Sequence, residues 1–353
     1  MHKKIWKAVC IILAVIIVAA VFFLIALWRM FGEKVTAAKS VVSLDEGLYY
    51  MEYKGDYGFD EFLNRGGAVS DAEMGEYIVE FLSNGFYKAE TAAAEKNFGC
   101  STLCMEAASG AQLMGRNFDW QECSAMIVHT VPDSGYESIS TCNLDFLGFG
   151  EGWKPEGMQN QYMALAAIYV PLDGMNEKGL CVADLISGDD AETHQDFGNP
   201  DLTTVSAIRL LLDKAASVDE AIALLSQYDM NSSIGTSHHL AVSDAEGRSV
   251  VIEYIDNEMV VTDTPAVTNH YLSPGEKFGV GNEESHRRYD TLIEMRRQAD
   301  GVMEPEALKS SMENVSYEDE TQWSIVYDKR NLTIDFYWRR QYDKPYHYDV
   351  NQK

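Results

Sequence analysis

No charge interrupts the run from Ala8 to Trp28, AVCIILAVIIVAAVFFLIALW. At about 1.5 Å per residue a helix of this length spans roughly 30 Å, the thickness of a bilayer's hydrocarbon core. One element is thereby set in advance: an apolar helix standing apart from any soluble core. A cleavable signal peptide has a shorter apolar region of about 7–15 residues, closed by a small-x-small site. Here Arg29, Phe31, Glu33 and Lys34 follow, and the VTAA at 35–38 matches poorly. The expectation is an uncleaved signal anchor over residues 8–28, with Trp6 and Trp28 at the two interfaces. Lys3, Lys4 and Lys7 precede the span, and Arg29 and Lys34 follow it. The slight basic bias favours a cytoplasmic N-terminus, a single pass of the cell membrane and an extracytoplasmic remainder.

The 353 residues suffice for one large domain and an accessory segment. A hydrophobic fraction of 46% supplies a sizeable core. The formal net charge of −27 repels phosphate backbones, which argues against a nucleic-acid partner. Cys100, Cys104, Cys123, Cys142 and Cys181 show no CxxC or Cys/His spacing, so no metal site is expected, and nothing in the spacing fixes a disulfide.

Residues 32–44 read as a polar juxtamembrane linker. Beyond them, Ser70-Asp71-Ala72-Glu73 forms a capping box ahead of MGEYIVEFL, and Asn84-Gly85 is a stop signal, which predicts a helix over about 71–83. From Cys100 the pattern changes. STLCMEA and AQLMGRN are strand-like runs around Ser109-Gly110, a two-residue turn. Strands at 239–244, 249–254 and 258–263 are joined by short polar connections into an antiparallel meander. TTVSAIRLLLDKAA, the segment capped by Ser217 and HRRYDTLIEMRRQAD read as helices, and QWSIVYD with LTIDFYW as a closing hairpin. Strands at both ends with helices between them indicate an α+β layered fold.

With Ser109 and Gly110 central in the turn, paired positions place Cys100 opposite Asp119. A turn centred on Ala108-Ser109 places it opposite Asn117. Either register returns Arg116-Asn117-Phe118-Asp119 to the side of Cys100. A thiol, a guanidinium and a carboxylate then share one end of one hairpin. What they lack is a general base. His239 is one candidate, although it begins a strand with no sequence tie to Cys100. The other is the α-amine of Cys100, freed by cutting the Gly99–Cys100 bond. Such an amine titrates near 7.7–8.0 and is suited to take a thiol proton. Gly99, lacking a β-carbon, is able to adopt a conformation that presents its carbonyl to the thiol.

The stretches GCSTLCMEAASGAQLMGRNFDW, DGMNEKGLCVADL, HHLAVSDAEGRSVVIEY, AVTNH, SHRRYDTL and WSIVYD occur in the order seen in the choloylglycine hydrolase family, which includes bile salt hydrolases and penicillin V acylases. The chain resembles that family over about residues 100–340. The resemblance implies an N-terminal nucleophile hydrolase with an αββα sandwich that acts on linear, non-peptide amides without a cofactor. Carried over by position, Cys100 is the nucleophile and its freed amine the base. Arg116 and Asp119 match the residues that hold the thiol and amine, and Arg288 matches a later active-site arginine, with Arg287 as its neighbour. Asn269 is a candidate substrate-binding residue. The turn Asn176-Glu177-Lys178-Gly179 fits a role in backbone shape. Two asparagines of the family's oxyanion hole are replaced, one within Ala183–Ile186 and one near Gly235, so backbone N–H groups are expected to serve instead.

The implied organisation is a cytoplasmic tip and anchor over 1–31, a linker and pro-segment over 32–99, and the hydrolase domain over 100–353. The implied partner is a small-molecule N-acyl amide, such as a bile-acid conjugate, penicillin V or an N-acyl amino acid; a homo-oligomer is compatible with the sequence. The alternatives are an acyltransferase that passes the acyl group to an amine and an uncleaved, inactive surface binding protein.

Overall fold

The computed structural model describes residues 2–85, 99–149 and 152–351; residues 86–98 of the expected pro-segment lie outside that set. Helix α1 (His2–Ser40) continues from the apolar run through most of the residues expected to form a polar linker. The linker expectation is corrected by tertiary contact. Lys34, Ala37, Ala38 and Val41 are buried. Lys34 donates to Phe81 O and to Asn84 Oδ1 at 2.9 Å, and its ammonium lies 3.9 Å from the centre of the Phe81 ring. A polar composition that signals a linker in isolation becomes a docked helix end once those partners exist.

After α1 come β1 (Val42–Asp45), β2 (Leu48–Lys54), α2 (Phe59–Asn64) and α3 (Asp71–Ser83). The α3 limits follow from local chemistry. The Ser70 side chain accepts from Glu73 N, and Asn84 closes the helix in the left-handed conformation with φ 49°. The hairpin of β3 (Gly99–Glu106) and β4 (Gln112–Asp119) follows, then β5 (Ala125–Val131), β6 (Ser138–Asn143), α4 (Gly157–Met163), β7 (Asp173–Asn176) and β8 (Cys181–Ile186). Short β9 (Asp201–Thr203), α5 (Thr204–Lys214), α6 (Val218–Leu225) and short β10 (Asp229–Asn231) lead to the meander β11 (His238–Ser243), β12 (Ser249–Ile255) and β13 (Glu258–Asp263). The chain closes with β14 (Ala266–Val267), α7 (Glu283–Gln298), α8 (Pro305–Asn314), β15 (Thr321–Asp328), β16 (Thr333–Trp338) and β17 (Tyr346–Asp349).

Nine strands form one sheet in the order β1-β2-β5-β6-β7-β8-β11-β12-β13, and six form a second in the order β14-β3-β4-β15-β16-β17. Period-two alternation in the hairpin separates two cores. Cys100, Met114 and Phe118 join a cluster that includes Ile127, Ile139 and Met175 of the nine-stranded sheet. Leu103, Met105 and Leu113 face the other way, toward Leu292 of α7 and Leu308 and Met312 of α8. Helix α5 packs on β7 and β8. The N-terminal segment is woven into this frame: β2 runs parallel to β5 from Leu48↔Ala125 to Lys54↔Val131.

Candidate active site

The hairpin register lies between the two sequence expectations. Cys100 pairs with Phe118, Gly99 with Asp119 and Thr102 with Arg116. The turn is centred on Ala108-Ser109, with Gly110 N donating to Ala107 O at 2.8 Å. Gly110 then occupies the left-handed region at φ 79°, an extra residue that shifts the ladder by one. In this register Cys100, Arg116 and Phe118 share the face between the sheets, and Asp119 lies on the opposite face beside Gly99. Gly99 is not among the glycines with positive φ. Its lack of a side chain answers to space: a β-carbon there would lie 3.2 Å from both Cβ and Oδ2 of Asp119.

Cys100 is fully buried. Burial pushes its thiol up to about 12, although the positive charge of the Arg116 guanidinium pulls the other way. Arg116 is itself held on three sides. It donates to Asn117 O at 2.7 Å and to Asp184 O at 2.8 Å, and its Nε lies 3.4 Å from Asp173 Oδ2. Asp173 also accepts from Trp323 Nε1 at 3.0 Å and from the Tyr327 hydroxyl at 3.3 Å.

The Cys100 backbone nitrogen has its own holder. It donates to Asn269 Oδ1 at 2.7 Å, and the same oxygen accepts from Arg288 Nη2 at 2.8 Å. Asn269 Nδ2 donates to Ile186 O at 2.8 Å. This carboxamide orientation is the satisfiable one, because the flipped side chain would turn its NH2 against two donors. Arg288 Nη1 pairs with Asp119 Oδ2 at 2.7 Å, both side chains being buried, and Thr321 Oγ1 donates to Asp119 Oδ1 at 2.5 Å. The Tyr317 ring lies under the guanidinium, 4.7 Å away. Its neighbour Arg287 points outward to Glu284.

The structure thus brings Cys100, Arg116, Asp119, Asn269 and Arg288 into one cluster. His239 stands elsewhere, paired with Glu253 Oε1 at 3.0 Å across the β11–β12 ladder. Burial opposes the ionisation of Glu253, but His239 and the N–H groups of Ser273 and Leu272 outweigh it and hold the carboxyl down at about 2, against about 4.5 unfolded. A depressed folded value stabilises the fold above the unfolded value, and this contribution fades as pH drops from about 4.5 toward 2. Replacing Glu253 by Gln is expected to remove up to about 3 kcal/mol of acid sensitivity. Thermal melts at pH 6, 4 and 3 check this; parallel curves for both proteins would refute it.

The asparagine expectations are revised. The Asp184 carboxylate lies 2.9 Å from His238 Nδ1, and its backbone carbonyl accepts from Arg116. His238 Nε2 lies 2.9 Å from Ser233 O. Burial opposes a charge on this ring, but the Asp184 carboxylate and the Ser233 carbonyl, both acceptors, raise its pKa above the usual histidine value. Ile234 N is taken by Asp71 Oδ2 at 2.7 Å. The carboxamide beside Cys100 comes from Asn269. Sequence reasoning missed Asp173, whose stretch was read for its turn alone. That turn is present, with Gly179 N donating to Asn176 O at 2.8 Å. The missed signal was a carboxylate placed directly after the apolar run 164–172, with a buried arginine to neutralise.

Three comparisons bear on this arrangement. Residues 100–274 match the family of linear amide C-N hydrolases, choloylglycine hydrolase family. A penicillin V acylase from Pectobacterium atrosepticum is 34% identical over 100 residues, and that match covers 25% of this chain and 26% of the relative's length. A solved conjugated bile acid hydrolase from Clostridium perfringens, itself a mutant, superposes with a TM-score of 0.52 at 15% identity, covering 72% of this chain and 93% of the other. A second variant of that hydrolase gives 0.50 at the same identity. These two likenesses speak to the fold alone. The family match begins at Cys100 itself, and over residues 100–274, just under half of the chain, the sequence is similar to the choloylglycine hydrolase family of linear amide C–N hydrolases.

Proposed function

We propose that this chain is a membrane-anchored, self-processing cysteine amidase with an αββα sandwich, hydrolysing a linear amide of an N-acyl conjugate. One observation carries the reading: the backbone nitrogen of Cys100 is held by Asn269 Oδ1 at 2.7 Å, while the Arg116 guanidinium acts on the buried thiol of the same residue. That is the arrangement needed if both atoms of one residue react.

In self-scission the Cys100 sulfur attacks the Gly99 carbonyl carbon. The C–S bond forms, the C–N bond breaks, and the thiol proton ends on the nitrogen. Water then hydrolyses the thioester and leaves a Gly99 carboxylate. The freed amine titrates near 7.7–8.0 and takes the thiol proton at neutral pH. The thiolate attacks the substrate carbonyl, the ammonium protonates the departing amine, and water attacks the acyl thioester with the same nitrogen as base. In the uncut chain the thiol is buried and protonated, the state suited to a precursor. Helix α1 carries a stretch long and apolar enough to cross a membrane. In this reading it does so, with the catalytic domain outside the cytoplasm.

The test is N-terminal sequencing of purified protein together with a panel of conjugated bile acids, penicillin V and N-acyl amino acids. The expected result is a fragment beginning at Cys100 and release of free acid from at least one member. Acyl transfer to added amine without free acid would favour the transferase instead. Turnover by a chain with an intact Gly99–Cys100 bond would overturn the mechanism.

A further inference from the structure

The geometry points to residues 2–85 as a permanent, non-covalently held subunit of the processed protein. This rests on the self-scission reading above and adds what becomes of the severed piece. A discarded pro-segment leaves a finished surface behind it; this one would leave a torn sheet. Strand β2 is paired along all seven of its residues with β5, and its loss would bare that strand as an edge. Leu48, Met51, Tyr53, Phe59, Phe62 and Met74 are buried in the main core.

Polar contacts cross the future break at widely separated points. The Tyr57 hydroxyl donates to Asp213 Oδ1 of α5 at 2.6 Å. Asp71 receives Ser233 Oγ at 2.8 Å and Ile234 N at 2.7 Å. Trp338 Nε1 of the other sheet donates to Glu46 O at 3.0 Å, and Tyr50 stacks on Tyr348. Gly67 passes so close to Asp201 that a β-carbon would lie 1.8 Å from its carbonyl oxygen. The segment is therefore gripped by α5, by the loop before β11 and by the C-terminal strands at once. Because α1 continues into this segment and its end docks there through Lys34, the grip also tethers the catalytic fragment to the apolar helix.

The test uses the full chain with an N-terminal affinity tag, solubilised in mild detergent. A second version carries an inserted protease site between residues 88 and 94, so that the chain can be broken by added protease independently of self-scission. The expected result is that the tag recovers both fragments in equal amounts in either version, through a wash of 1 M salt, and that only denaturant parts them. Recovery of the tagged fragment alone, with the Cys100 fragment in the flow-through, overturns the inference. A first version that never cuts defeats self-scission, and the protease-cut version still decides retention.

Discussion

Purified Cys100→Ala protein is expected to run as one uncut chain and to lose turnover of every amide that the wild type cleaves, by roughly 10⁴-fold or more. The two losses share a cause, since the same sulfur is proposed to open the Gly99 carbonyl and then the substrate. Folding should survive. The substitution removes one atom from a buried position, costs on the order of 1 kcal/mol, and leaves the β3–β4 ladder untouched. Circular dichroism and a melting curve near wild type therefore belong to the expected result. Cys100→Ser supplies a gentler arm: a hydroxyl is a weaker nucleophile than a thiol, so scission should proceed more slowly rather than stop. Wild-type turnover by the alanine variant would mean that the sulfur takes no part.

Where local chemistry sets an element's limits, the sequence is legible. Helix α3 was readable because Ser70 and Asn84 act within a few residues, and the β11–β13 meander because alternation and short turns are neighbour effects. What escaped depends on distant partners. The hairpin register hung on whether Gly110 sits inside the turn or just beyond it, and a left-handed glycine satisfies both readings. The end of α1 looked like a linker because Lys34 finds Phe81 and Asn84 only in the folded state. The parallel pairing of strand β2 with β5 was not readable, because two helices and a hairpin intervene between them. At the site, Cys100, Arg116 and Asp119 came together from strand spacing. Arg288 and Asn269 required the resemblance, since α7 and the segment after β14 reach Cys100 only through the tertiary fold. Asp173 was passed over because nothing near it in sequence marks Arg116 as its partner.

Arg288 offers the second large effect. It is buried and joins Asp119 to Asn269 through two nitrogens of one guanidinium. Arg288→Leu strands the buried Asp119 carboxylate with Thr321 as its remaining side-chain partner. Leaving such a charge unpaired costs about 3–5 kcal/mol, a fall in melting temperature of roughly 10 °C for a domain of this size. It also removes the donor that fixes the Asn269 oxygen against the Cys100 nitrogen, so scission and turnover should each fall by at least about 10²-fold. Asp119→Leu combined with Arg288→Leu separates the two effects. With no charge left unpaired, the double variant should regain much of the lost stability while remaining slow. Arg288→Lys sharpens the distinction, because one ammonium retains the charge but lacks the planar fork that serves both partners. Its expected pattern is a melting temperature closer to wild type, slow scission, and a displaced pH profile for kcat/KM in whatever fraction is cut, since the amine would then ionise beside a less firmly held Asn269. Wild-type scission and an unmoved profile in the lysine variant would reduce the Arg288–Asp119 pair to a structural clamp.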